Sequence, residues 1–201
     1  LASKFDETQQ TVDENGLVTF LGGVGKVTIS VEPEVQINPM YPMISQYTFT
    51  LVKGINVYTY EQLQTAQAAN LPTILQADLV VPKESGGIEV KANIYGNGHK
   101  ISYNGNKKAY DKLVVKTSNI IIDNLHIRGT EFSEGGNLGD LEGTGKMLTI
   151  VSDSQAKKVT GVIIRNCKIE NAYWGVEVRN AEALFTGCIM RNFLSSCIQL
   201  S

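Results

Sequence analysis

The chain has 201 residues, 42% of them hydrophobic, and a formal net charge of −2 at pH 7. This length and composition suit one or two globular domains with a substantial buried core. The charge balance provides no basic field for nucleic acid or anionic lipid, and no segment approaches the roughly 18 apolar residues of a membrane span. We therefore predict no nucleic-acid partner and no membrane span.

Residues 1–55 are predicted to form a small β segment. Three runs rich in β-branched and aromatic residues follow turn signals such as Asn15-Gly16, and they are Leu17–Phe20, Lys26–Val31 and Tyr47–Val52. The text from Val12 to Ile29 resembles the second half of a bacterial immunoglobulin-like domain of group 2. The first strands of that family have no counterpart here, so the resemblance implies a partial immunoglobulin-like domain.

One helix is predicted, directly after this segment. Thr59 and Gln62 have the spacing of a capping box, and Asn70 followed by Pro72 ends the helix. An apolar stripe at helical spacing is formed by Leu63, Ala66 and Ala69. We expect this helix to cap the first coil of a solenoid, where backbone and apolar side chains would otherwise be exposed.

The second half of the chain contains a line of text that nearly repeats. Residues 120–127 are echoed by residues 162–169 and again by residues 183–190. Asn166 and Gly187 are 21 residues apart, and Asn124 and Asn166 are 42 apart, or twice 21. Short apolar strands at such a period predict a solenoid in which each repeat forms one coil.

Alignment of the repeats predicts a strand register. The inward columns are Ile122, Ile164 and Phe185, then Leu125, Cys167 and Cys188, then Ile127, Ile169 and Met190. The outward columns then place Asp123 beside Arg165, and Glu170 between Arg128 and Arg191, so that opposite charges are neighbours. A second set of strands is predicted at 148–150, 176–178 and 198–200.

The repeat, the helix and the segment Ile94–Ile101 resemble the right-handed parallel β-helix of the pectin-lyase-like superfamily, over residues 57–201. The resemblance implies an all-β fold, in which a right-handed single-stranded parallel β-helix with an N-terminal capping helix occupies residues 56–201. Because Ser201 directly follows a strand, we expect these coils to be the first part of a longer solenoid. Members of this superfamily include polysaccharide lyases, glycoside hydrolases, tailspikes, adhesins and epimerases.

A loop at 130–146 interrupts the solenoid and is the candidate metal site. Long insertions in solenoids gather where binding occurs, and four carboxylates lie here, at Glu131, Glu134, Asp140 and Glu142. Oxygen ligands of this kind suit calcium, although the spacing does not match an EF-hand loop. The alternative is a solvated loop without a metal.

The candidate substrate-binding residues are Tyr173 and Trp174, together with the outward Arg165 and Asp123. Tyr173 and Trp174 precede Gly175 in a predicted turn, where exposed rings would stack on sugars. The alternative is that one ring packs into a corner of the coil.

No catalytic residue is assigned. His99 and His126 titrate near neutral pH, but the sequence identifies no Ser, Cys or carboxylate partner for either. The glycoside hydrolases that resemble polygalacturonases use Asn-Thr-Asp, Asp-Asp, Gly-His-Gly and Arg-Ile-Lys segments, none of which occurs here. Cys167 and Cys188 would be stacked neighbours, as two buried free thiols or as a disulfide.

These patterns together predict an extracellular or cell-surface bacterial β-helix protein that binds or acts on polysaccharide, and the partner is a polysaccharide or a host glycan. No cofactor is evident apart from the calcium that the loop suggests. If the protein is an enzyme, the resemblance implies a polysaccharide lyase or a glycoside hydrolase. The alternative is a non-catalytic adhesin or structural surface solenoid.

Overall fold

The structure, a computed structural model, describes residues 2–3, 10–12, 18–20, 25–31, 45–82, 85–103, 111–129, 145–154 and 156–201. The chain divides into two compact units, Leu1–Lys53 and Gly54–Ser201. The candidate site lies entirely within the second unit.

The first unit is antiparallel. Strand β1 (Ala2–Ser3) pairs with β4 (Gly25–Val31), which pairs with β5 (Ser45–Leu51), and β2 (Gln10–Val12) forms a hairpin with β3 (Val18–Phe20). The three predicted strand runs are therefore present, each within two residues of its expected bounds. The immunoglobulin-like assignment itself stays a prediction.

The second unit is a parallel β-solenoid, which confirms the predicted fold class. Three faces of parallel strands surround one apolar core. The first face consists of β6 (Ile55–Val57), β7 (Thr73–Leu75), β10 (Ile94–Tyr95), β13 (Ile121–Asp123), β16 (Val159–Arg165) and β18 (Ala181–Thr186). The second consists of β8 (Leu79–Val80), β11 (Lys100–Ser102), β14 (His126–Arg128) and the first parts of β17 (Lys168–Arg179) and β19 (Ile189–Leu200). The third consists of β9 (Ile88–Val90), β12 (Leu113–Val115), β15 (Lys146–Val151) and the later parts of β17 and β19.

The helix caps the solenoid as predicted. Helix α1 (Tyr60–Ala68) begins at a capping box formed by Thr59 and Gln62, and it packs against β6, β7 and β9. Its buried face differs from the predicted stripe in one respect. Ala69 is exposed at the C-cap, whereas Gln67 is buried because its side-chain oxygen accepts hydrogen bonds from the backbone amides of Lys91 and Ala92.

The predicted register is present. Ile94, Ile122, Ile164 and Phe185 occupy one column of the first face, with alternate side chains in the core. Asp123 pairs in register with Arg165, and Glu170 lies between Arg128 and Arg191. Core burial of each column follows from the two-residue alternation of side chains along a strand.

The spacing of 42 residues was wrongly interpreted as two repeats. Ile122 lies directly beside Ile164, so residues 122–164 make a single turn of the solenoid. Part of the additional length lies between β14 and β15, where residues 130–144 are outside the described residues. The insertion predicted at 130–146 ends earlier than expected, because Lys146 already belongs to β15.

The corners between the first and second faces need left-handed backbone. Asn124, Asn166 and Gly187 have φ values of 50°, 54° and 62°. Asparagine and glycine adopt this conformation at least cost, so the repeated Asn/Gly position sets the corner. The Asn166 side-chain amide donates to Oδ1 of Asp123 at 3.2 Å, which ties the corner to the preceding strand.

Candidate functional site

The third face carries a groove of about 440 Å3 on its outer surface. Glu89, Val114, Thr149 and Glu177 occupy one outward column on consecutive strands. The first three of them line the groove, and its other lining residues are Gly87, Ile88, Asp111, Lys116, Val151, Asp153 and Arg179. The groove is therefore built by consecutive strands of the solenoid repeat.

Thr149 supplies an unused hydrogen-bonding group in the floor of this groove. The residue is 2% exposed, and its Oγ1 has no hydrogen-bond partner. Leu148 and Ile150, its neighbours in β15, belong to the core, so alternation directs Thr149 away from the core. A buried hydroxyl without a partner is costly, and a ligand hydroxyl in the groove would remove that cost.

One end of the groove is charged. Nζ of Lys116 lies 2.8 Å from Oδ2 of Asp153, and Arg179 lines the same region. The hydrogen bond to Asp153 raises the pKa of Lys116, so this lysine stays cationic.

Towards the helix, the groove continues into a smaller depression of about 210 Å3. The two share Gly87, Ile88 and Glu89, and the smaller one is also lined by Gln64 and Ala68 of α1. The combined groove runs across successive strands, parallel to the solenoid axis. Its shape suits an elongated ligand better than a compact one.

The second face carries a different cluster, centred on Glu170. Its carboxylate oxygens lie 2.8 Å from Nε2 of His126, 2.9 Å from Nζ of Lys168 and 2.7 Å from Nε of Arg191. Although burial acts to raise it, hydrogen bonds from Lys168, Arg191 and His126 lower the pKa of Glu170 to about 2. The pKa of His126 is itself lowered, chiefly by desolvation and against the hydrogen bond to Glu170.

Sequence reasoning missed the partners of both histidines. His126 faces Glu170, and Nδ1 of His99 lies 3.4 Å from Oδ1 of Asp78. Glu170 lies 44 residues from His126, so only the strand register brings them together. The strand register predicted from the repeat already contains the signal for this pair, because it places His126 and Glu170 on neighbouring strands.

The predicted substrate-binding residues lie outside the groove. Arg165 Nη2 and Asp123 Oδ2 form an ion pair of 2.8 Å on the first face. Tyr173 and Trp174 lie within β17 and not in a turn, because the chain continues as strand through this corner. Their ring centroids are 5.3 Å apart and both residues are half-buried. Their role in binding stays a prediction.

The predicted metal ligands Glu131, Glu134, Asp140 and Glu142 lie outside the described residues, so calcium binding also stays a prediction. Within the ranges that the structure describes, no group of three His, Cys, Asp or Glu side chains could hold a metal ion. Cys167 and Cys188 are free thiols in the coil interior, as the first of our two alternatives expected.

Comparisons with known proteins give no relative. No family model matches the chain, and neither the curated proteins nor the solved structures contain a significant match. In the part of the chain that the structure describes, no helix has the length and apolar character needed to cross a membrane. The fold thus defines the class, a parallel β-solenoid.

Proposed function

We propose that this protein is a polysaccharide-binding solenoid that is secreted or displayed on a bacterial cell surface, and that its third-face groove holds the glycan. The observation that carries the proposal is the buried, unpartnered hydroxyl of Thr149 in the floor of an elongated groove. The resemblance of residues 57–201 to the right-handed β-helix of the pectin-lyase-like superfamily supports the same reading.

The lining of the groove suits sugar chemistry. Val114 and Val151 provide apolar surface for the C–H face of a pyranose ring, and Thr149 offers a hydroxyl. Glu89 and Arg179 provide charged groups at the rim that accept from or donate to sugar hydroxyls. Apolar walls with a few placed polar groups are typical of small-ligand sites.

Binding without turnover is the function we favour. Of the three carboxylates in the groove, Asp153 pairs with Lys116, and Asp111 accepts a hydrogen bond from the backbone amide of Lys146 at 3.2 Å. The third, Glu89, lies 4.0 Å from Nζ of Lys91, so each of the three already has a partner within the chain. The protein then acts as an adhesin or as the binding part of a polysaccharide lyase or hydrolase.

The test is calorimetric titration with a panel of neutral and acidic polysaccharides, using the full chain and Thr149→Val. Valine keeps the shape but removes the hydroxyl, so we expect affinity to fall about fivefold to tenfold. The folded state should be equally stable or more stable, because an unsatisfied buried group is removed.

Thr186→Val is the matched control, because Thr186 is exposed on the first face, away from the groove. Equal affinities for Thr149→Val and the unmodified chain, or no binding to any glycan, would refute the proposal. Release of product in the same mixtures would assign turnover in addition to binding.

A further inference from the structure

Arg179, at the charged end of the third-face groove, has no counter-ion within the part of the chain that the structure describes. Two cations line the groove, Lys116 and Arg179. Nζ of Lys116 lies 2.8 Å from Oδ2 of Asp153, whereas the Arg179 guanidinium forms no ion pair with any described residue. Arg179 is the last residue of β17 and is exposed, so its guanidinium is open to a ligand in the groove.

The other two carboxylates of the groove act on lysines and not on Arg179. Glu89 lies 4.0 Å from Nζ of Lys91, at the end of the groove that is nearer to the helix. The charge of Asp111 acts on Lys112 and opposes the desolvation that lowers the pKa of this lysine. Positive charge therefore remains available at the Arg179 end of the groove.

Lys116 adds to the positive potential at this end. The charge of Arg179 acts to lower the pKa of Lys116, although the hydrogen bond to Asp153 raises that pKa on balance. The two cations are thus close enough to repel each other. An anionic group bound beside them would relieve this repulsion, which a neutral ligand would not do.

Arg179 and Thr149 are placed to contact the same ligand. Thr149 pairs in register with Glu177, and Val151 pairs with Arg179, so Thr149 and Arg179 lie on neighbouring strands two positions apart. Alternation directs both side chains away from the core, and both residues line the groove. A sugar unit whose hydroxyl meets Thr149 therefore lies within reach of the Arg179 guanidinium.

We propose that the third-face groove selects an acidic glycan, and that Arg179 binds the carboxylate or sulfate group of a sugar unit whose hydroxyl contacts Thr149. A guanidinium presents N–H donors in a planar fork that matches two oxygens of such a group. This inference rests on the function proposed for the groove. It adds the class of glycan and the residue that determines the specificity.

The experiment compares acidic glycans with uncharged counterparts that have the same backbone, by calorimetric titration into the full chain. Polygalacturonate and its methyl-esterified form test a carboxylate, and dextran sulfate and dextran test a sulfate. We expect at least one acidic form to bind about tenfold more tightly than its neutral counterpart, because hydrogen bonds to charged groups are stronger than neutral ones. The pair with the larger difference identifies the preferred group.

The variant is Arg179→Gln, for which we expect about a tenfold loss of affinity for the acidic form and less than about a twofold loss for its neutral counterpart. Arg179→Lys keeps the charge but not the planar fork, so its loss should be smaller. Lys158→Gln is the matched control for net charge, because Lys158 pairs with Glu182 and does not line the groove. It should change affinity less than about twofold. Since Arg179 is exposed, its variants should keep the melting temperature of the unmodified chain.

Thr149→Val separates the two proposals, because it should weaken the binding of acidic and neutral forms alike. If Thr149→Val weakens binding but no acidic form binds more tightly than its counterpart, the groove binds glycan without selecting charge, and this inference is overturned. Equal losses for Arg179→Gln and Lys158→Gln, or equal losses of both glycan forms in Arg179→Gln, overturn it as well. If no glycan binds, or if Thr149→Val keeps full affinity, the function proposed for the groove fails and this inference fails with it.

Discussion

Nε2 of His126 lies 2.8 Å from Oε1 of Glu170, across the neighbouring strands β14 and β17. The same carboxylate binds Lys168 in its own strand and Arg191 in the next one. One side chain therefore connects three successive strands of the second face.

We expect Glu170→Gln to destabilise the solenoid by about 2 kcal/mol at pH 7, because three cationic or titratable neighbours lose their shared anion. The measurement is urea unfolding at fixed pH. Glu182→Gln is the control. Glu182 has a single exposed ion pair with Lys158, and its loss should cost less than about 0.5 kcal/mol.

The same residue predicts acid sensitivity. The pKa of Glu170 in the folded chain is lowered to about 2 from an ordinary value of 4.5. A carboxyl group whose pKa is lowered by folding stabilises the folded chain at any pH above its pKa in the unfolded chain. This stabilisation is lost as the pH falls from about 4.5 to about 2. The loss should be about 2 kcal/mol in the unmodified chain, equal to the cost of Glu170→Gln at pH 7, and should be absent from that variant. If the free energy of unfolding changed with pH to the same extent in both chains, the lowered pKa of Glu170 would be contradicted.

Lys112 should also make the stability rise with pH, but at alkaline pH and through the loss of a destabilising buried charge. It is fully buried beside the Tyr103 ring, and desolvation lowers its pKa to about 8 from 10.5. The unfolded chain binds more protons between these values, so the contribution of Lys112 to stability rises with pH from about 8 to 10.5. We expect the free energy of unfolding of Lys112→Met, relative to that of the unmodified chain, to be highest at pH 7 and to fall as the pH rises towards 10.5.

Denaturant midpoints between pH 7 and pH 10.5 measure this difference. The advantage of the methionine variant should shrink as the pH rises. An advantage that stays constant across this range would mean that the lysine does not titrate there.

Truncation of an inward side chain should lower the free energy of unfolding more than truncation of an outward side chain on the same strand. Ile164 is fully buried in β16, whereas its neighbour Ile163 is half-buried on the other side of the sheet. We expect Ile164→Ala to cost about 3–4 kcal/mol and Ile163→Ala about 1 kcal/mol in free energy of unfolding. Equal costs would show that the alternation does not describe this strand.

The corner at Gly187 should not accept a side chain. Its φ is 62°, and an added Cβ would lie 2.7 Å from Oδ1 of Asn166. We expect Gly187→Ala to lower the stability by about 1–2 kcal/mol. Gly86→Ala is the control, since no atom lies within 4 Å of its added Cβ. Its melting temperature should be unchanged.

The repeat text predicted the parts of the fold that depend on local pattern. The alternation of apolar and polar residues predicted the inward columns, and the spacing of Thr59 and Gln62 predicted where the helix begins. The length of the turn between Ile122 and Ile164 could not be derived, because a solenoid loop grows without changing the strands that it joins. The groove was missed for a related reason: Glu89, Thr149 and Arg179 are individually ordinary residues, and only the stacking of β9, β12, β15 and β17 brings them together.

The environments of the candidate binding residues also could not be predicted from the local sequence pattern. Trp174 was chosen as a candidate because it is the single tryptophan of the chain. Its environment depends on whether the corner after Ala172 is a turn or continuous strand, and a Tyr-Trp-Gly sequence allows both. The burial of Thr149 is still harder to foresee, since a threonine between Leu148 and Ile150 reads as an ordinary solvent-facing strand residue.

The column that contains Arg128, Glu170 and Arg191 also bears on how the chain reaches this structure. Each coil of the solenoid stacks on its immediate predecessor in the chain, and apolar side chains fill the interior of every coil. If β19 stacked directly on β14, however, Arg191 would face Arg128 and two cations would repel each other. Correct order places Glu170 between them. The surface charges of this column therefore favour the observed order of coils over one in which a coil is skipped.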